Sequence, residues 1–258
     1  MNESHSKWLT KELSETFSEG VRGAIPGANL QLEIIIKLIS VWSSSPSTIL
    51  DLGCGDGILG RMLLTKYPAV HTVFADFSEP MLEKVRKRIG DNKMATVKQI
   101  DFTTPDWIDD VKAQTPFDII VSGFAIHHQP DDRKQALYSE IYNLLKEGGI
   151  FLNLDQVRSE TSGISEIFDN FFLENIRCSL PNPDQNEMMN QIEKAYYEDK
   201  KENIPAPVDI QCQWLRDIGF QEVDCFFKTF ELGLFGGKKS SNKANARAKI
   251  NPRSWNSR

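Results

Sequence analysis

The run I-L-D-L-G-C-G-D-G at residues 49–57 joins an apolar stretch to a helical one through Asp51 and glycines at 53, 55 and 57. Glycine lets a backbone turn sharply and approach a ligand closely, and the helix start beyond it offers unpaired N–H groups. Two more aspartates close later apolar runs: Asp76 in V-F-A-D-F-S (73–78) and Asp101 in K-Q-I-D-F (98–102). Carboxylates gathered around such a turn accept hydrogen bonds from hydroxyl and amino groups and attract a cation. His127 and His128 end a fourth run, F-D-I-I-V-S-G-F-A-I-H-H (117–128). An imidazole titrates near ~6.5, so one of them could take a proton from a hydroxyl or amine acceptor. The structural alternative is a loop histidine held by hydrogen bonds.

Other readings of the glycine turn stand beside this one. Gly55, Gly57 and Gly60 spell G-x-G-x-x-G, the fingerprint of a nicotinamide or flavin site, where the strand runs directly into the first glycine and a pyrophosphate sits on the helix start. Here the strand ends in Asp51, and a carboxylate repels a pyrophosphate. A cationic ligand suits it better, and S-adenosylmethionine carries both a sulfonium and an ammonium. Asp51 could instead cap the following helix, and Gly57 and Gly60 could ease helix–sheet packing, leaving Gly53 and Gly55 for the ligand. Asp56 reads equally as an N-cap, and Cys54 as a small packing residue.

These residues need a scaffold that brings strand ends together. From residue 47 on, β-rich runs at 48–52, 71–76, 95–100, 117–122 and 149–154 alternate with helical patterns at 58–66, 79–89 and 131–145. Ser78 is the expected N-cap of the second helix, and Gly148-Gly149 the stop of the third. The alternation predicts an α/β fold with a doubly wound, mostly parallel seven-stranded sheet, Rossmann-like in kind. The chain divides into an N-terminal helical lid (1–46), a ligand-binding core (47–156), a helical cap (157–206), a closing helix and antiparallel strand pair (207–237) and a basic tail (238–258). Lid helices are expected at 7–18 and 29–41, separated by the breaker at 23–27; Arg22 beside it could meet a ligand carboxylate if the lid closes. The cap is rich in aromatic and methionine side chains (Phe168, Phe171, Phe172, Met188, Met189, Tyr196, Tyr197). Most of these are expected to be cap core, with Tyr196 and Tyr197 facing a substrate pocket.

In order and spacing, residues 48–154 resemble the class I S-adenosylmethionine-dependent methyltransferases, whose first motif is an acidic residue followed by G-x-G-x-G. The resemblance implies that Asp51, Gly53 and Gly55 meet the cofactor and that Asp76 binds both ribose hydroxyls with Phe77 flanking the adenine. It further implies that Asp101 accepts from the adenine amino group, that the Phe102 backbone meets the ring, and that Ser122 and Gly123 line the methionine moiety. The cofactor would be S-adenosyl-L-methionine and the product S-adenosyl-L-homocysteine. Four further segments, I-P-G, S-E-P-M-L-E-K-V-R-K-R-I (78–89), R-K-Q-A-L-Y-S-E-I-Y (133–142) and G-F-x-x-V-D from Gly219, are similar to the carboxy-S-adenosylmethionine synthase branch. That branch consumes prephenate and needs an arginine for the transferred carboxylate. Trp214 stands at the expected position, with Arg216 close by, and the branch's first motif departs from the G-x-G-x-G kept here. Methyl transfer to a small-molecule acceptor by in-line displacement is therefore the expected activity, with Trp214 counted in the pocket. The synthase, a nicotinamide oxidoreductase and a non-catalytic scaffold are the alternatives.

Composition agrees with a globular protein. The 258 residues carry 30 Lys+Arg against 36 Asp+Glu, and 40% are hydrophobic. Seven basic and no acidic residues lie in 238–258, leaving 23 basic against 36 acidic elsewhere. That acidic body disfavours a polyanionic substrate on the fold, while the tail, expected to be disordered, could meet nucleic acid. No apolar run reaches the ~18 residues of a membrane span and the start lacks a signal-peptide layout, so a cytoplasmic protein is expected. The four cysteines are scattered, against a zinc site or disulfide framework, and no metal is expected. A homodimer is compatible with this build.

Overall fold

A computed structural model describes residues 25–43, 45–179 and 186–241. In chain order the elements are α1 (Ala28–Trp42), β1 (Thr48–Leu52), α2 (Ile58–Lys66), β2 (His71–Asp76), α3 (Glu79–Ile89), β3 (Ala95–Gln99), α4 (Trp107–Val111), β4 (Phe117–Gly123), α5 (Asp131–Leu144), β5 (Leu145–Gln156), α6 (Ser162–Ser179), α7 (Asn186–Lys200), α8 (Val208–Ile218), β6 (Phe220–Thr229) and β7 (Leu232–Lys239). They build one seven-stranded sheet in the order β3-β2-β1-β4-β5-β7-β6. β1 to β5 run parallel, and β7 is antiparallel to both its neighbours. The strand order reverses between β1 and β4, and a crevice at the carboxyl ends of the strands opens at that switch point.

Side-chain alternation along each strand sorts the core. Leu50, Leu52, Val73, Ala75 and Ile120 face α4, α5 and α8, and bury Trp107, Tyr138 and Leu215 with them. Ile49, Ile119, Val121, Ile150 and Leu152 face α1 and α2, and bury Ile35, Ile39, Leu59 and Leu63. Each fully buried aliphatic side chain contributes roughly 1.5–3 kcal/mol. Asp51 shares the face of Ile49, which brings its carboxylate beneath the first turn of α2.

Two expectations change. The third helix does not run to the glycines: it ends at Leu144, because Leu145 already pairs with Phe117. The next pair in register is Ile119 with Ile150, so Gly148 (φ +74°) and Gly149 serve a bulge inside β5. At the far end, β7 continues through Lys238 and Lys239, two residues into the segment expected to be tail. The expected helix at 7–18, Arg22 and residues 242–258 lie outside the described residues. The cap is helical, with Phe168, Phe172, Ile176 and Met189 as its own buried core.

Candidate active site

The turn after β1 is pinned to β2. Cys54 N–H donates to the Ala75 carbonyl (2.9 Å), and Gly55 N–H donates to Asp76 Oδ2 (2.7 Å). Asp76 Oδ1 accepts from Ser78 N–H (2.9 Å) at the start of α3, so one carboxylate joins the turn to the next helix. Burial pushes the Asp76 carboxyl up from its ordinary range, and the amides of Ser78, Gly55 and Phe77 oppose that rise. Asp51, 1% exposed, accepts from Gly60 N–H (2.7 Å) in the first turn of α2. It therefore caps that helix, and it also lines the crevice.

The glycines divide by what surrounds them. A Cβ on Gly60 would stand 2.4 Å from the Phe74 ring, and one on Gly57 3.1 Å from it, so both serve helix–sheet packing. Gly53 (φ +66°) sits against Ala125 and the Phe102 ring, where a Cβ would come within 2.3 Å of the alanine. Gly55 (φ +52°) has nothing within 4 Å of that position. A left-handed glycine beside open space is a cradle into which a ligand can move close. Asp56 is 7% exposed and pairs through Oδ2 with Arg88 at 2.5 Å. Burial and the carboxylates of Asp76, Asp51 and Asp56 raise the Cys54 thiol well above its ordinary value, which removes it as a nucleophile.

A cavity of about 700 Å³ lies between this turn and the first turn of α1. Asp51, Cys54, Ile58 and Leu59 line it from the turn, Gly123, Phe124 and Leu154 from the strand ends, and residues 25 and 27–32 from the lid side. Asp51 is the one charged side chain among the described residues that line it. At the outer strand ends, Asp101 is exposed and turns Oδ1 to Thr103 N–H (2.9 Å), Phe102 is buried, and half-buried Phe77 gives its carbonyl to Gln99.

Beyond β4, His127 is 3% exposed and its Nδ1–H donates to Asp155 Oδ1 at 2.5 Å. Asp155, 1% exposed, also accepts from Asn153 Nδ2 (3.2 Å) and Gln156 N–H (3.0 Å). The His128 ring packs on His127 in a tilted arrangement, centroids 4.0 Å apart and planes at 41°. Asp155 escaped the sequence reading, although it follows the fifth apolar run as Asp51, Asp76 and Asp101 close theirs; the same rule finds it.

The structure does not gather every expected pocket residue. Ser122 is fully buried and its hydroxyl donates to the Leu52 carbonyl (2.7 Å), which locks β4 to β1 and leaves that side chain away from the cavity. Trp214 packs on the α4, α5 and α8 core, so it is not a lining residue. Tyr196 turns into the cap, donating to Asp169 Oδ1 (2.6 Å), and Tyr197 lies on the surface at 37% exposure. Among the described residues none of the cap lines the cavity; the cap core borders it only through Ile25 and Phe124, which pack on that core and line the cavity.

Residues 50–151 match the family model described as a methyltransferase domain. The chain is 23% identical over 238 residues to the carboxy-S-adenosyl-L-methionine synthase of Aeromonas hydrophila, covering 91% of each. It is 34% identical over 125 residues, 48% of this chain and 49% of the relative, to the demethylmenaquinone methyltransferase of Leptospira interrogans. Its fold is that of a putative S-adenosyl-L-methionine-dependent methyltransferase of Methanococcus maripaludis, with TM-score 0.58 and 22% identity over 91% of this chain and 95% of the other. Human N-acetylserotonin methyltransferase, solved with S-adenosylmethionine, superposes with TM-score 0.50 at 16% identity over 93% of this chain and 65% of the other. Sheet order, glycine turn and domain match together define an enzyme, a class I methyltransferase that uses S-adenosylmethionine. Within that class the chain resembles the carboxy-S-adenosylmethionine synthases along most of its length.

Proposed function

We propose that the acceptor is a small molecule bound in the 700 Å³ cavity and that Asp51, Gly55, Asp76 and the Asp101–Phe102 turn hold the cofactor. The observation that carries this reading is the lone carboxylate of Asp51 in an otherwise uncharged lining, beside the open side of Gly55. A cationic ligand fits such a lining, and the volume suits a ligand of tens of heavy atoms. When bound, S-adenosylmethionine supplies an electrophilic methyl carbon on a sulfonium, from which the acceptor takes the methyl group by in-line displacement.

The protein's part is orientation. Asp76, its oxygens fixed by Gly55 and Ser78 amides, retains lone pairs for the ribose hydroxyls, and Gly123 lines the methionine end. Ile25 and Leu30 on the lid side and Phe124 just after β4 give the acceptor an apolar wall and exclude water. With Nδ1–H committed to Asp155, His127 keeps its ring lone pair at Nε2, but it is 3% exposed and does not line the cavity, so no proton transfer from the acceptor is assigned to it. No helix among the described residues is long and apolar enough to cross a membrane.

Thermal melts with S-adenosylmethionine, S-adenosylhomocysteine and NADH test the cofactor site. A ligand at a hundredfold excess over its Kd stabilises the native state by ~2.7 kcal/mol. Both adenosyl compounds raise Tm, and Asp76→Ala abolishes the rise; a shift that survives Asp76→Ala overturns the placement. The full-length likeness to the Aeromonas synthase supports carboxy-S-adenosylmethionine formation as the second reading. Mass spectrometry of the purified protein and of its products with prephenate decides: a carboxylated adduct establishes the synthase, and its absence leaves methyl transfer.

A further inference from the structure

Behind the Asp101–Phe102 turn lies a set of charged and polar side chains that the cofactor site does not itself use. Arg133, in the first turn of α5, donates from Nε to the Phe102 carbonyl at 2.9 Å. Its two terminal nitrogens make a fork on Glu140, two turns further along the same helix, at 2.7 and 2.6 Å. Glu140 Oε2 also accepts from the indole N–H of Trp107 at 2.7 Å, and Trp107 is 1% exposed in the core beneath α4. Arg133 and Glu140 side chains are 12% and 13% exposed. A two-bonded guanidinium–carboxylate pair is directional and stiff, unlike a surface lysine pair.

What this pair holds is the backbone of the turn. The Phe102 ring lies against Gly53, so Phe102 touches the glycine turn on one side and Arg133 on the other. A neighbouring residue, Asp101, is exposed on the ligand edge with one carboxylate oxygen turned to Thr103 N–H. The carbonyl's partner fixes the peptide plane after Phe102, whose other polar group is the Thr103 N–H bonded to Asp101 Oδ1, and with it the aim of Asp101.

We propose that Arg133, held by Glu140, is a positioning residue for base recognition: it sets the Asp101–Phe102 turn so that the site distinguishes a 6-amino purine from a 6-oxo purine. The inference rests on the cofactor placement given above and adds α5 to the site as a specificity element. Arg133 touches no ligand, and its effect passes through one peptide carbonyl. Arg133→Lys keeps the charge and loses the fork. Glu140→Gln keeps the size and an acceptor for Trp107 and loses the ion pair. Trp107→Phe removes the indole donor and some core volume but leaves both partners of the Arg133 fork in place.

The test is calorimetric titration of the full-length protein with S-adenosylhomocysteine and with its inosyl analogue, in which a carbonyl replaces the 6-amino group. A hydrogen bond exchanged for a clash of acceptors makes the wild type favour the adenosyl compound by about tenfold or more. Arg133→Lys and Glu140→Gln bring that ratio down to about twofold, while Trp107→Phe keeps most of it. Purely structural weakening lowers both affinities together and leaves the ratio at its wild-type value, and that result overturns the proposal. The underlying placement fails in a different way: wild-type protein that binds both compounds equally, or neither, shows that the Asp101–Phe102 turn does not read the base. Melts of the variants without ligand confirm that the compared proteins are folded.

Discussion

At the amino edge of the sheet, Asp118 near the start of β4 receives the N–H and hydroxyl of Ser47 (2.8 and 2.7 Å), the N–H and hydroxyl of Thr48 (3.0 and 3.1 Å) and the Lys146 ammonium (2.9 Å). Desolvation raises its carboxyl, but those donors outweigh that effect and hold it down at about 2. At the carboxyl edge, Asp76 at the end of β2 is raised by burial, and its partners among the described residues are backbone amides rather than a cation. One carboxylate is satisfied by the fold alone; the other keeps a cost that a ligand's hydroxyls can offset. The sheet thus closes at one edge with a cation-paired carboxylate and keeps a raised, amide-held one at the opposite edge, the edge where open α/β sheets bind their ligands.

The largest expected effect separates the edges directly. Asp76→Ala lowers S-adenosylmethionine affinity roughly 100-fold, since two hydroxyls lose a charged acceptor, yet it costs the unliganded protein less stability than Asp118→Ala does. Calorimetry and urea unfolding on both variants check this. Equal losses of stability at the two positions would erase the contrast.

The glycines sharpen it. Gly60→Ala drives a methyl to within 2.4 Å of Phe74 and 2.9 Å of Asp51 Oδ2, so overpacking costs about 1–3 kcal/mol despite alanine's better helix propensity. Gly55→Ala meets no neighbour and incurs only the left-handed backbone strain, about 1 kcal/mol, but occupies the ligand's side of the turn. Urea midpoints therefore fall further for Gly60→Ala, and S-adenosylhomocysteine affinity falls further for Gly55→Ala. Reversal of either ranking would show that the open side of the turn is not the ligand's.

The acid limb of stability tests the pKa contrast, with opposite signs at the two sites. Asp118 is lowered in the folded state, so its contribution is full above the unfolded value of ~3.9 and disappears as pH falls toward about 2. Asp76 is raised, so its folded form gains relative stability at low pH, and that gain is lost as pH climbs from ~3.9 through the raised value. Asp118→Asn costs about 1–2 kcal/mol near neutrality, allowing for solvent around half-exposed Lys146, and flattens the acid fall. Asp76→Asn steepens it. Urea unfolding between pH 2 and 6 reads both slopes.

Much of this arrangement is legible in the amino-acid sequence because it rests on local rules. Short β-rich runs mark Thr48–Leu52 and His71–Asp76 at their observed bounds, and a rule about carboxylates at strand ends picks out Asp51 and Asp76. What escapes is tertiary. Gly148 and Gly149 carry a stop signal, but the pairing of Leu145 with Phe117 turns them into a bulge. Tyr196 looks like a pocket residue until Asp169, 27 positions away, claims its hydroxyl. The Arg133 fork joins a helix to a strand connection 31 residues earlier, a distance that no periodicity spans. Asp155 is the exception, within reach of the strand-end rule and seen in place through its bond to His127.

The smallest effect concerns Cys54, which shares the carboxyl edge with three carboxylates. A thiol reacts as thiolate, and burial together with three nearby negative charges opposes that ionisation. Cys178, by contrast, is exposed. Iodoacetamide at neutral pH therefore alkylates Cys178 first and leaves Cys54 intact in the native protein, as peptide mass mapping over time will show. Exposure alone predicts the same order, so the charge argument needs its own test: Asp76→Asn removes one of the three charges without opening the turn and speeds Cys54 alkylation by a few-fold. An unchanged rate at Cys54 would assign its inertness to burial alone and confine the influence of Asp76 to the ligand.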